Sequence, residues 1–171
     1  VIALGPSAER QTEKFSEKYF TFEGPLTLVD GTCIQKTGTD TALDWQFLVK
    51  GRSSKPDKLH NHCIITRTFN VITPHGITTC VKHFHCPSWQ DMTGGDPRVL
   101  AELVKCIDAS LSPHIPIVVH CSAGLGRTGT LIAAYDMHDK LVKSSSPLGL
   151  AATIMEHRHQ RYGVVQTVEQ I

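Results

Sequence analysis

Eleven residues, His120-Cys121-Ser122-Ala123-Gly124-Leu125-Gly126-Arg127-Thr128-Gly129-Thr130, bring together a thiol, a guanidinium and a run of glycines. A short apolar stretch precedes them and a helical pattern follows, so the segment reads as a strand, a turn and a helix N-terminus. A loop entering a helix aims several backbone N–H groups at one spot, and the helix dipole adds positive potential there. That spot suits an anion. Gly124 and Gly126 let the backbone curl around it without Cβ clashes. Arg127 supplies a planar fork that matches two phosphate oxygens. The same field favours thiolate over thiol at Cys121. The chemistry implied is covalent transfer of an oxyanion group to sulfur. An inert packing cysteine leaves Arg127 and the glycines without a reason. Gly124-x-Gly126-x-x-Gly129 matches a dinucleotide fingerprint, but that reading needs a second strand ending in an acid about twenty residues on. Here Asp136 and Asp139 fall inside the helical pattern, and no Gly-Lys-Ser/Thr is present.

His-Cys, five residues, then Arg-Thr resembles the active-site loop of the protein-tyrosine phosphatases. The wider run SLSPHIPIVVHCSAGLGRTGT is similar to their tyrosine-specific branch. The resemblance implies that Cys121 is the nucleophile and that Arg127, with the loop backbone from Ser122, Ala123, Gly124, Leu125 and Gly126, holds the phosphate. It implies that Thr128 hydrogen-bonds the sulfur and that His120 organises the loop and lowers the thiol pKa further. The Ser122 nitrogen is then placed to trap an oxidised Cys121 as a cyclic sulfenamide. HFHCPSWQDMTGGDP resembles the family's mobile Trp-Pro-Asp loop, which makes Asp91 the general acid and then the base. Gln90 stands where the family has proline, and loss of the fixed φ is expected to alter the open–closed balance of the loop. RYGVVQTVEQ resembles the glutamine loop. Gln166 matches the water-positioning residue, Gln170 the second glutamine, and Gly163 a position kept small at the pocket mouth. Arg158 and Arg161 match an R-x-Q-R pattern. In SAERQTEKFSEKYF, Glu9 is a candidate partner for Arg127. The mechanism implied needs neither metal nor cofactor, because arginine and backbone dipoles do the electrostatic work.

The elements that position these residues are legible in part. The N-terminal segment VIALGPSAER has an apolar start and reads like the latter part of a strand. Leu26–Val29, Trp45–Val49, Cys63–Val71 and Ile77–Cys86 read as further strands, the last two joined by a tight turn at Thr73-Pro74-His75-Gly76. Gly51–Lys58 is polar, contains a proline and reads as a loop. Asp96-Pro97 opens a helix whose apolar positions, Val99, Leu100, Leu103, Val104, Ile107 and Leu111, share one arc; Pro113 is expected to end it. Ile115–His120 has the pattern of a buried strand. Helices follow from about Thr128 to Lys143, with Leu131, Tyr135, His138 and Val142 on one face, and from Leu150 to Arg161. The fold class expected is α/β or α+β, and the resemblance implies a twisted mixed central sheet flanked by helices. His60-Asn61-His62-Cys63 and His83-Phe84-His85-Cys86 each place two histidines on one strand face. They read as sheet-surface residues rather than a metal site.

Bulk properties are consistent with a single domain. The chain has 171 residues, 40% hydrophobic and 19% charged, with a net charge of +1. That balance gives no electrostatic argument for nucleic acid. No apolar run is long enough to span a bilayer. Six scattered cysteines in a chain of this size read as reduced, intracellular thiols. The expectation is therefore a cytoplasmic phosphatase acting on phosphotyrosine proteins, whether a soluble enzyme, a receptor's cytosolic part or a delivered effector. Residues 1–171 read as one catalytic domain lacking its N-terminal part, which becomes an expected partner, and its last helix. Such a chain is expected to expose a sheet edge and apolar helix faces. Two alternatives stay open: a phosphotyrosine-binding pseudophosphatase with little turnover, and a phosphatase for phosphoinositides or phosphoserine.

Overall fold

In the computed structural model, the described residues are 1–5, 24–44, 62–110, 115–143 and 149–171. The expectations at Glu9, Trp45–Val49, Gly51–Lys58, His60 and Pro113 lie outside them. Among the described residues a six-stranded mixed sheet runs in the order β2-β3-β4-β5-β1-β6. Its strands are β1 (Ile2–Leu4), β2 (Leu26–Thr27), β3 (Cys33–Asp44), β4 (His62–Ile72), β5 (Thr78–Cys86) and β6 (Val119–His120). Helices α1 (Pro97–Asp108), α2 (Gly126–Lys143) and α3 (Leu150–Gln160) flank it, and a 3-10 turn covers Val168–Gln170. The architecture is α+β with a mixed sheet and flanking helices, as expected.

The β4–β5 hairpin is antiparallel and turns where the sequence indicates. Gly76 N–H donates to the Thr73 carbonyl at 2.9 Å, and Gly76 adopts φ 80°, which suits a residue without Cβ. β1 is only three residues long, yet it joins the sheet's two functional halves. It pairs in parallel with β5 through Ile2–Phe84 and Leu4–Cys86, and with β6 through Ile2–Val119 and Ala3–His120. Side chains alternate across these strands. Ile2, Leu4, Phe84, Cys86 and Cys121 share a core with Val99, Leu103, Val104 and Ile107 of α1 and Leu131 of α2. The other face carries Ala3 and Phe69.

Several expectations need correction. His83 and His85 are not on the sheet surface; they are 1% and 3% exposed. Both point to the Phe69 face, where His83 meets the Phe69 ring edge-on at 5.9 Å between centroids. Burial, followed by the nearby Arg67 charge, drives the His83 pKa down to about 3. Burial also takes His85 to about 4, against the opposing hydrogen bond with Gly5. Ile115–His120 is not a buried strand. Only Val119 and His120 pair, and Ile115, Ile117 and Val118 are exposed. The reason is position: β6 is the sheet's edge strand, with a described neighbour on one side alone. Helix α1 runs to Asp108 and tightens at its end, where Ser110 N–H donates to the Ile107 carbonyl; Leu111 lies outside the described residues. The strand read at Leu26–Val29 keeps only its first two residues. Leu28 and Gly31 close a turn that leaves Val29 at its tip, with Asp30 accepting from the Thr32 N–H and hydroxyl. On α2 the apolar face fades along its length: Leu131 is fully buried, whereas Val142 is exposed.

Candidate active site

Cys121 is the first residue beyond β6, and the loop it opens runs to Gly126, where α2 begins. The thiol is 8% exposed. Thr128, in the first turn of α2, donates its hydroxyl to the sulfur at 3.2 Å. Burial alone would push the thiol pKa up. The Thr128 hydroxyl, the backbone N–H groups of Thr128 and Gly124 and the Arg127 charge outweigh it, and the net shift is downward from an ordinary thiol. Gly124 holds φ 70°, so its expected conformational role stands. Gly126 serves a different purpose. Its φ is not positive, but a Cβ there would sit 2.7 Å from Gln166 Oε1 and 2.8 Å from Gln170 Nε2. Glycine at 126 is required by the close approach of another segment. His120 Nδ1 lies 3.4 Å from the Cys121 carbonyl, so its contact is to the backbone of the loop. Ser122 and Ala123 are exposed at the loop's outer surface.

Arg127 is 1% exposed, a fully buried guanidinium at the base of the site. Its Nη1 donates to the Trp89 carbonyl at 3.0 Å. Its Nη2 lies 3.2 Å from Asp91 Oδ1, close enough for an ion pair although outside hydrogen-bond geometry. Nε has no hydrogen-bond partner among the described residues. A buried cation with open donors invites an anion, since a buried N–H without a partner is costly. The opposite wall is Gly5. It holds φ 107°, and any Cβ would collide with the guanidinium of Arg127. Gly5 is itself fixed from both sides, its N–H donating to the Cys86 carbonyl at 2.9 Å and its carbonyl meeting His85 Nε2 at 2.9 Å. With its pKa far below neutrality, His85 is the neutral imidazole, so Nε2 carries the proton and donates.

The loop after β5 brings Asp91 to Arg127. Trp89 is buried, its indole N–H donating to the Thr93 carbonyl at 3.0 Å, and the Thr93 hydroxyl donates to the Gln90 carbonyl at 3.0 Å. Gly95, at φ 74°, lies under the indole ring. Asp96 then caps α1 by accepting from Arg98 N–H at 2.8 Å, which fixes the loop's far end. Gln90 is exposed and the loop closes around it without a proline.

The segment after α3 completes the site. Gly163 adopts φ 79°, and the nearest atom to a Cβ there is 4.0 Å away, so the position is roomy. Arg158 donates from Nε to the Val164 carbonyl at 3.0 Å and from Nη2 to the Val165 carbonyl at 2.6 Å. Val165 has φ 56° and its N–H reaches the Leu125 carbonyl at 3.3 Å. Gln166 brings its amide oxygen over Gly126. Gln170 is buried. Its Oε1 accepts from Gln166 N–H at 2.8 Å, and its Nε2 donates to the Thr93 carbonyl at 3.3 Å. It therefore braces two loops together. Thr167 adds a second brace, its hydroxyl donating to the Met92 carbonyl at 3.2 Å. Arg161 lies beside Gly124, its Nη2 3.1 Å from where a Cβ would be.

Cys121, Arg127 and Thr128, Asp91, and Gln166 thus converge from three stretches of chain. Sequence reading did not single out Gly5, His85 or the Met92 and Thr93 carbonyls for this site. The only sequence signal for Gly5 is a glycine directly after an apolar strand, in Val1-Ile2-Ala3-Leu4-Gly5-Pro6. Among the described residues, no three His, Cys, Asp or Glu side chains gather as a metal site. The five described cysteines at 33, 80, 86, 106 and 121 are free thiols. No described helix is long and apolar enough to cross a membrane.

The family model for protein-tyrosine phosphatase matches residues 10–171. Over 93 residues the chain is 39% identical to protein-tyrosine-phosphatase PTP1 of Arabidopsis thaliana, covering 53% of this chain and 27% of that protein. Over 107 residues it is 33% identical to the mouse (Mus musculus) tyrosine-protein phosphatase non-receptor type 20, covering 61% of this chain and 24% of that one. The chain spans about a quarter of the length of these relatives. Among solved structures, PTPN18 in complex with HER2-pY1248 phosphopeptides superposes with a TM-score of 0.79 at 25% identity, over 99% of this chain and 57% of that one. The Trypanosoma brucei phosphatase TbPTP1 gives a TM-score of 0.75 at 22% identity over 99% of this chain and 55% of its own, a likeness of fold.

Proposed function

The chain belongs to the protein-tyrosine phosphatase family, and from that premise we propose that it carries the catalytic machinery for hydrolysing phosphotyrosine in proteins through a cysteinyl-phosphate intermediate. The observation that carries the reading is the thiol of Cys121, hydrogen-bonded by Thr128 at 3.2 Å and set in the same loop as the buried Arg127.

In the first step the Cys121 thiolate attacks phosphorus, a P–S bond forms and the bond to the tyrosine oxygen breaks. Asp91 gives its proton to that oxygen, so tyrosine leaves neutral. Arg127 and the N–H groups of the loop hold the equatorial oxygens. In the second step water attacks phosphorus, oriented by Gln166, and its proton passes to Asp91. The P–S bond breaks, and the Thr128 hydroxyl stabilises the thiolate that departs. Asp91 begins beside Arg127 at 3.2 Å, so an incoming phosphate displaces that ion pair as it takes the guanidinium. Ser122, Ala123, Leu125, Gly163 and Gln170 shape and brace the pocket rather than exchange protons.

The pseudophosphatase alternative rests on Gln90. With Gln90 in it, the loop still packs on the site through the Arg127–Trp89, Thr167–Met92 and Gln170–Thr93 hydrogen bonds and brings Asp91 to Arg127, which favours the catalytic reading. Rates on a phosphotyrosine peptide, a phosphoserine peptide and a phosphoinositide test the proposal. Phosphotyrosine should be preferred, Cys121→Ser should abolish turnover, and Asp91→Ala should lower kcat by about 10²-fold or more with little change in binding. Equal rates on phosphoserine, or wild-type turnover in Asp91→Ala, would overturn it.

A further inference from the structure

We propose that Arg158 is a positioning residue for the second chemical step, holding Gln166 in its water-directing pose through the strained backbone of Val165. The inference rests on the water-positioning reading of Gln166.

Val165 has φ 56°, in the left-handed region that a β-branched residue strongly avoids. It is also 1% exposed and packs on Ala133 and Ile154, so both its conformation and its place are imposed. Such a conformation persists only when its surroundings over-determine it. Arg158 is the obvious agent. Its guanidinium closes on two successive carbonyls, Val164 at 3.0 Å and Val165 at 2.6 Å. One planar fork thereby fixes the peptide planes on both sides of the strained residue. On the opposite side the Val165 N–H reaches the Leu125 carbonyl of the phosphate loop at 3.3 Å. Gly129 allows this approach, since a Cβ there would lie 2.8 Å from the Val165 nitrogen.

The next residue is Gln166, whose side chain is aimed by the backbone angles of Val165. Its Oε1 lies over Gly126, at the rim of the loop that carries Cys121. Without the fork, Val165 would relax toward an ordinary φ and swing Gln166 off the loop. The first step, attack by Cys121 and protonation by Asp91, uses neither residue. The second step uses Gln166, as water attacks phosphorus and gives its proton to Asp91. Loss of Arg158 should therefore slow hydrolysis of the P–S bond more than its formation.

Pre-steady-state release of nitrophenol from p-nitrophenyl phosphate separates the two steps. Arg158→Gln should show a rapid burst approaching one equivalent, then a steady rate reduced about tenfold or more. With an added alcohol, it should pass a larger share of phosphate to the alcohol, because water is no longer selected. Arg158→Lys, which keeps a cation able to reach one carbonyl, should fall between Arg158→Gln and wild type. It also serves as the test if Arg158→Gln fails to fold, as judged by thermal melting. Gln166→Ala is the control. If Gln166→Ala shows no burst, the water-positioning reading falls and this inference with it. If Gln166→Ala shows a burst while the foldable Arg158 variant keeps a wild-type profile and partition, the inference alone is overturned.

Discussion

At the scale of single residues, the chemistry turns on how acidic one sulfur is. Burial raises the Cys121 pKa, while a hydroxyl, two N–H groups and a guanidinium lower it, and the lowering effects win. Iodoacetate reacts with thiolate, so alkylation of Cys121 should reach half its maximal rate below the pH of about 8.5 typical of a free thiol. Thr128→Val removes the hydroxyl that donates at 3.2 Å. A hydrogen bond to a charged group is worth about 1.5–3 kcal/mol. The midpoint in that variant should therefore rise. A titration in Thr128→Val that overlays wild type would remove the hydroxyl from the account. Cys121, Arg127 and Asp91, which the structure brings together, were all singled out in sequence, because each has a side chain whose chemistry announces it. Gly5 was not, because its contribution is the absence of a side chain against Arg127.

At the scale of elements, β5 carries the acid loop at its end and two buried histidines along its length. His83 and His85 have folded pKa values of about 3 and about 4, below the ordinary 6.5. A depressed histidine pKa means that the fold holds the neutral form and the unfolded chain binds the extra proton. Stability is therefore full above about pH 6.5 and declines as pH falls toward 4, at about 1.4 kcal/mol per pH unit for each histidine. Thermal melting across that range should show the decline. His85→Gln, whose amide offers a donor toward the Gly5 carbonyl and does not titrate, should flatten it. An identical slope in His85→Gln would show that other groups govern the acid limb. These histidines were misread as surface residues because alternation identifies a strand's two faces but not which of them is covered. Strand β3 went unread for a different reason. Its sequence, CIQKTGTDTALD, is largely polar, and its register shifts between Thr37 and Thr41, beside Gly38 at φ 71°.

At the scale of the whole molecule, one surface differs from the rest. Ile117, Val118 and Val119 of the β6 region face Leu131, Ile132 and Tyr135 of α2 and Val164 across an apolar groove of about 720 Å3. Leu141 and Val142 are also exposed, toward the C-terminal end of α2. Contiguous surface of this kind binds hydrophobic dyes and promotes self-association. Ile117→Thr and Val118→Thr together should lower dye fluorescence and raise the concentration at which the protein stays monodisperse. Unchanged fluorescence would locate the sticky surface elsewhere. The expectation of exposed apolar faces came from sequence, but their location did not. Ile115–Val118 is as apolar as a buried strand, and only the strand order shows it lying beside an edge.

The position of β1 between β5 and β6 has a consequence for how the molecule assembles. Its residues lie between the strand that leads to Asp91 and the strand that leads to Cys121, and both its partners lie more than eighty positions further along the polypeptide. The β4–β5 hairpin closes through near neighbours and can form early, whereas threading β1 between its partners must wait for long loops to close, at a large entropic cost. Cys121 and Asp91 are therefore expected to meet late in folding, and a chain trapped short of that point would keep the β4–β5 hairpin without the Cys121–Arg127–Asp91 arrangement.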